Sequence, residues 1–224
     1  MRLPVELLRH IVAGVTDGAR QYTSEFGRWL GHRVFLPDGS GLSMPDDSAL
    51  QRAFGQPKGA KKGCGFPVMH VLWMFDAATG LIVDLVSGRW NRQDIADVLK
   101  LHAKLEPGDV MIADRAFCSY AHLASILQHQ LHAVIRMYQR RIVDFRCGRK
   151  QRAQWPKSQR QGKSTSRFLE KLGVMDQCVE YPKPKERPNW MSPQDFAVLP
   201  ETIVVRELHY RIRRQGFRAR QVTL

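Results

Sequence analysis

The feature that most restricts the fold is an alternation, confined to about the first 138 residues, between short apolar runs of strand type and segments with helical spacing. His32 to Pro37 is a short β-rich run, Val34-Phe35-Leu36, that ends at the turn signature Asp38-Gly39-Ser40. Val68 to Phe75 and Leu81 to Val86 are strand-like on either side of a turn at Asp76 to Gly80, which predicts a hairpin. Asn91 or Asp94 then caps a helix that runs to about Leu105, with Ile95, Val98 and Leu99 near helical spacing, and Pro107-Gly108 stops it. Val110 to Ala113 is a short apolar strand closed by Asp114, Ser119 caps a second helix carrying Leu123, Ile126 and Leu127 on one face, and Ala133 to Met137 is a further strand. Such an order predicts a mixed α/β sheet with helices packed on it.

The back half reads differently. From Arg140 to Lys171 there are 11 Lys and Arg against Asp144 and Glu170, and a second basic cluster runs from Arg206 to Arg220. A proline-rich stretch from Tyr181 to Pro188 separates them and reads as loop or extended linker. Overall, 35 Lys and Arg against 21 Asp and Glu leave a net charge of +14. An excess of that size points to a polyanionic partner. The apolar stretches are too short to cross a bilayer and no secretory leader follows Arg2, so a soluble, cytoplasmic chain without a membrane partner is expected. Cys64, Cys118, Cys147 and Cys178 lie 54, 29 and 31 residues apart, a spacing that suggests neither a disulfide framework nor a structural zinc.

Two aspartates share a position in this layout, since Asp38 and Asp114 each close a predicted strand. In α/β sheets ligand sites gather where strands end. If the two strands are neighbours, both carboxylates enter one pocket, which suits a hard divalent cation whose other positions go to water and phosphate. The competing reading of each residue is a turn or helix cap.

The runs Asp38 to Asp46, Ala53 to Pro67 and Ile112 to Tyr120 together resemble the bacterial insertion-sequence transposases of the DDE superfamily, group four, and the likeness extends from about Trp29 to the end. The resemblance implies an RNase H-like mixed sheet flanked by helices, with a β-rich insertion before a glutamate-bearing helix. It implies an enzyme in which two Asp and one Glu hold Mg²⁺ (or Mn²⁺) and cleave and transfer DNA strands at element ends. Asp38 and Asp114 are then catalytic and metal-binding. Double-stranded DNA, as terminal repeats and target, is the implied partner, with a homodimer in the intact family and a nucleoid-associated location. Residues 1–30 become an N-terminal helical remnant, 31–138 a partial catalytic core, 139–205 the basic insertion and 206–224 a truncated return strand.

The third carboxylate departs from the family pattern, a Tyr-x₂-Arg-x₃-Glu-x₆-Lys signature. Tyr138/Arg141 and Tyr210/Arg213 meet the first spacing, but Phe145 and Phe217 stand where Glu is required. A transposase fragment without strand-cleaving activity is therefore expected, the alternative being a non-catalytic DNA-binding regulator or a decayed remnant. For DNA contacts, Arg115 is placed to hold a phosphate or to pair with a local carboxylate. Lys58, Lys61 and Lys62 lie in a glycine-rich loop that lacks nucleotide-binding spacing. Arg146, Arg149, Lys150 and Arg152 lead the basic cluster, whose expected role is phosphate contact. The resemblance further implies that an insertion tryptophan, Trp155 or Trp190, stacks on an extruded base, the ordinary alternative being a buried core residue.

Overall fold

In the computed structural model the described residues are 4–23, 27–57, 65–217 and 220–223. They divide into two compact units, 1–112 and 113–224. The first unit holds helix α1 (Val5–Thr23), strand β1 (Val34–Ser43), helix α2 (Ser48–Phe54), strands β2 (Val68–Asp76) and β3 (Ile82–Arg89), helix α3 (Asp94–Leu101) and strand β4 (Val110–Ala113), which runs to the boundary. The strands lie in the order β3-β2-β1-β4. β1 and β2 are antiparallel and paired from Phe35↔Asp76 to Ser43↔Val68, β2 and β3 form the expected hairpin, and β4 lies parallel to β1 through Val34↔Val110 and Phe35↔Met111.

The hairpin turn follows from its residues. Asp76 Oδ1 accepts the Ala78 amide at 2.8 Å, and Gly80 takes a φ of 70° that side chains disfavour. The other Asp76 oxygen accepts from Arg20 Nε of α1 at 2.8 Å, and Thr16 donates to the Ile82 carbonyl at 3.0 Å, which fastens α1 to β3. The core is apolar, built on Phe35, Val71, Leu72, Met74, Val98, Leu101 and Met111, each at most 1% exposed.

In the second unit a short 3₁₀ turn (Arg115–Phe117) precedes helix α4 (Tyr120–Gln128) and strand β5 (His132–Arg136). Ser119 caps α4 as expected, its hydroxyl accepting the His122 amide at 3.2 Å. Strands β6 (Arg167–Gly173) and β7 (Asp176–Pro182), helix α5 (Pro193–Ala197) and strands β8 (Thr202–Tyr210) and β9 (Arg220–Thr223) complete it. The strand order is β5-β9-β8-β7-β6, antiparallel throughout, and β8 runs unbroken past residue 205. Between β5 and β6 lie about 30 residues whose only regular pieces are 3₁₀ turns at Arg152–Gln154 and Lys157–Gln159. Each unit is thus a sheet carrying helices, mixed in the first and antiparallel in the second, in line with the mixed α/β sheet expected from the sequence. No described helix is long and apolar enough to cross a membrane.

Candidate active site and nucleic-acid interface

Asp38 does not end its strand. β1 continues through Ser43, and Asp38 sits opposite Trp73 in mid-ladder. The Asp-Gly-Ser triplet reads locally as a turn, yet unbroken pairing with β2 keeps it extended, a tertiary override of local preference. The Asp38 side chain is exposed, and its Oδ1 accepts the Gly39 amide at 3.0 Å.

Gly39 explains which way Asp38 faces. A Cβ on Gly39 would overlap the Asp94 carboxylate, whose Cγ would lie 2.5 Å away. Because successive strand residues point to opposite faces, Asp38 looks away from α3. Asp94 is not the helix cap that the sequence suggests. Gln93 holds the cap position, and Asp94, the first helical residue, engages His70 Nε2 of β2 at 2.6 Å. Sequence reasoning missed His70 because a lone His in a strand has no spacing partner to mark it.

Asp114 follows β4 directly, as expected, and is exposed. It also serves as the cap of the 3₁₀ turn, Oδ1 accepting the Ala116 amide at 2.7 Å. The cap reading and the ligand reading are therefore compatible, since the cap engages one oxygen only. Arg115, beside it, is half-buried. The strands that carry or precede the two aspartates, β1 and β4, are parallel neighbours. Among the described residues no group of three or more His, Cys, Asp or Glu is arranged to hold a metal ion. Each of the two aspartates, taken by itself, offers the oxygen donors a hard cation takes, with one oxygen steadied by a backbone amide.

The glutamates of the insertion have other partners or no neighbouring acid. Glu207 is fully buried against Arg141, and Glu180 pairs with Arg167 across the β6–β7 ladder. Glu201 reaches Lys183 at 3.5 Å, and Glu170 and Glu186 are exposed. His129 Nδ1 meets the Ser125 carbonyl at 2.8 Å at the end of α4.

The basic cluster forms a concave site. Arg146, Arg149, Lys150, Trp155 and Lys163 line a cavity of about 190 Å³ together with Asp144. Asp144 is matched by Arg146 at 2.7 Å, and those hydrogen bonds hold its carboxyl below the usual range. Burial lowers the Arg149 guanidinium. The Lys163 ammonium sits 4.3 Å from the centre of the Trp155 ring and Lys150 5.8 Å, so the indole is already faced by cations. Arg152 is exposed and Trp190 half-buried. Lys58, Lys61 and Lys62 lie outside the described residues.

No curated protein matches the chain. A solved structure described as a cryo-EM structure of a piggyBac transposase synaptic complex with hairpin DNA is similar at 11% identity and a TM-score of 0.41, over 85% of this chain and 32% of that one. The chain thus spans about a third of that protein's length. A family model described as the transposase DDE domain matches residues 29–213, which takes in both aspartates and the basic segment. With most of its length inside that match, the chain belongs to the transposase DDE domain family.

Proposed function

We propose that this chain is the DNA-binding and divalent-metal-binding DDE domain of a group-four insertion-sequence transposase of the bacterial cytoplasm, a family whose intact members cleave and transfer strands at terminal repeats and target DNA. The observation that carries the reading is the pair of exposed, amide-steadied aspartates, Asp38 and Asp114, inside the region that matches the DDE domain. These two carboxylates are the residues that would hold Mg²⁺ or Mn²⁺. A metal bound there supplies the charge that activates a water or 3′-hydroxyl and stabilises the leaving oxygen at phosphorus.

The chain's own residues set the rest. The Gly39 and Ala116 amides fix the two carboxylates and leave each a second oxygen for a ligand. Arg146, Lys150 and Lys163 carry positive charge at a concave surface, where phosphate contacts would position a duplex without reading its sequence. The family's third carboxylate has no counterpart at its spacing, and Glu180 and Glu207 are held in ion pairs. This chain by itself is accordingly proposed to bind DNA and metal with little or no strand cleavage. The same observation favours a second reading, a non-catalytic DNA-binding regulator.

A plasmid-cleavage assay in Mg²⁺ or Mn²⁺ tests the proposal. Absence of cleavage is expected, and cleavage that Asp114→Ala abolishes would overturn the two-carboxylate account. Duplex binding should weaken by roughly 0.9 log units per log unit of salt for each phosphate neutralised. Binding that ignores salt, or no binding, would sink both readings.

A further inference from the structure

Period-2 alternation on β8 turns Ile203, Val205 and Glu207 to the interior, at 5%, 4% and 0% exposure. On β7 the matching inward positions are Gln177, Val179 and Tyr181. The register sets Val179 opposite Val205 and Tyr181 opposite Ile203, and it sets Gln177 opposite Glu207. A charged residue and an amide therefore fill a cross-strand slot whose neighbouring slots are apolar. Burying that pair costs free energy that an apolar pair would not.

What the pair contacts is the irregular basic segment. Glu207 Oε1 accepts from Arg141 at 2.7 Å and Oε2 accepts from the Gln177 amide at 2.8 Å. The same amide donates to the Asp144 carbonyl at 3.0 Å, and Gln177 Oε1 accepts from Arg149 at 3.3 Å. Arg149 also donates to Ser166 at 3.1 Å, Ser166 shares a hydrogen bond of 2.8 Å with Ser164, and Arg141 lies 3.8 Å from the centre of the Tyr181 ring. The segment between β5 and β6 is thereby pinned at 141, 144 and 149, and each pin ends on Gln177 or Glu207. A structureless stretch of that length otherwise loses its shape to chain entropy. A buried network in which Glu207 and Gln177 each meet two or more partners favours a single geometry instead.

We infer that Glu207, with Gln177, is a positioning element that shapes the basic surface of Arg146, Lys150 and Lys163 for a polyanion. The inference rests on the DNA-binding reading for its ligand and on geometry alone for its mechanism. The carboxylate acts through Arg141 and Gln177 and does not touch nucleic acid itself.

The experiment uses trypsin and a salt titration side by side, on the parent, on Glu207→Gln and on the triple replacement Arg141→Met, Gln177→Leu, Glu207→Leu. The triple variant removes Glu207 together with Arg141 and Gln177 and leaves Arg149 its bond to Ser166, so a folded chain is expected where Glu207→Ala leaves Arg141 buried and unpaired. In the parent, cleavage within 139–166 should be at least tenfold slower than in the urea-unfolded chain. Both variants should raise that rate about tenfold or more while far-ultraviolet circular dichroism is unchanged, and should lower the slope of duplex affinity against salt. Parent cleavage as fast as in the unfolded chain, or variants with the parent's cleavage pattern and salt slope, overturn the inference. A parent that binds no duplex refutes the DNA reading only, because the trypsin comparison still reports on the network.

Discussion

The two units solve the burial of charge in opposite ways. In the first, the fully buried strand positions are apolar, and the buried acids lie at strand ends or on a helix. Asp76 ends β2 and meets Arg20, Asp109 precedes β4 and binds Arg33 bidentately at 2.6 and 2.7 Å, and Asp97 on α3 takes Lys100 at 2.8 Å. In the second, Glu207 is buried in the body of a central strand. The difference teaches that a sheet which only has to be stable can keep charge at its edge. A sheet that must also hold a long irregular basic arm spends a core slot on polar contacts.

Truncating the apolar centre should give the largest loss. Phe35 is fully buried, with the guanidiniums of Arg20 and Arg33 each 5.5 Å from its ring, so Phe35→Ala is expected to cost about 3–5 kcal/mol in urea denaturation. A loss below that of an exposed residue would break the picture of an apolar first unit.

The second unit should be the acid-sensitive one. Burial pushes the His122 imidazole down to about 4, although its Nδ1 hydrogen bond to the Phe117 carbonyl works the other way. Between pH 6.5 and 4 the unfolded chain binds a proton that the folded chain refuses. Stability is therefore complete above about 6.5 and falls as pH drops through that window, by at most roughly 3 kcal/mol. Chemical denaturation at several pH values reads this directly, and His122→Asn should flatten the profile.

These two regions also differ in how far the sequence discloses them. β4 and the position of Asp114 were legible because an apolar run ended abruptly in a charge, and Ser119 announced α4. The continuation of β1 past Asp38 was not legible, since Asp-Gly-Ser is a local turn pattern and the opposing evidence is a long-range ladder. Helix α2 went unseen for a different reason: its Asp47 cap, which accepts the Ala49 amide at 2.7 Å, is a short-range device, and seven residues are too few to display a helical period. Gln177 and Glu207 look like ordinary solvent-facing members of alternating strands. Only the register reveals that they point inward toward each other.

A smaller effect sharpens the contrast at the site itself. Gly39→Ala must displace Asp94 from His70 and should cost about 1–3 kcal/mol as an overpacking change. Asp94→Ala should relieve most of that cost in the double variant. Additive losses in the double-mutant cycle would show that the two do not share space.

The smallest change in stability belongs to the exposed basic rim. Arg146→Ala removes a surface ion pair with Asp144 and should leave the urea-denaturation midpoint close to the parent's. Its duplex affinity should nonetheless lose roughly 0.9 of the salt slope, one phosphate's worth. A large stability loss would place Arg146 in the anchoring network instead of on the binding surface.

The long β1–β2 ladder has a consequence for insertions and deletions. Removing one residue from Val34 to Pro37 while that ladder stays in place shifts the strand's earlier half by one position against β4 and leaves Asp38 aimed as before. Removing Gly39, if the N-terminal half holds its seat instead, forces the rest of the strand to exchange faces, and the Ser40 side chain then arrives where Asp94 already stands. A scan of single-codon deletions across 34–43 should therefore show two distinct failures, loss of Phe35 burial before the aspartate and a clash with Asp94 immediately after it.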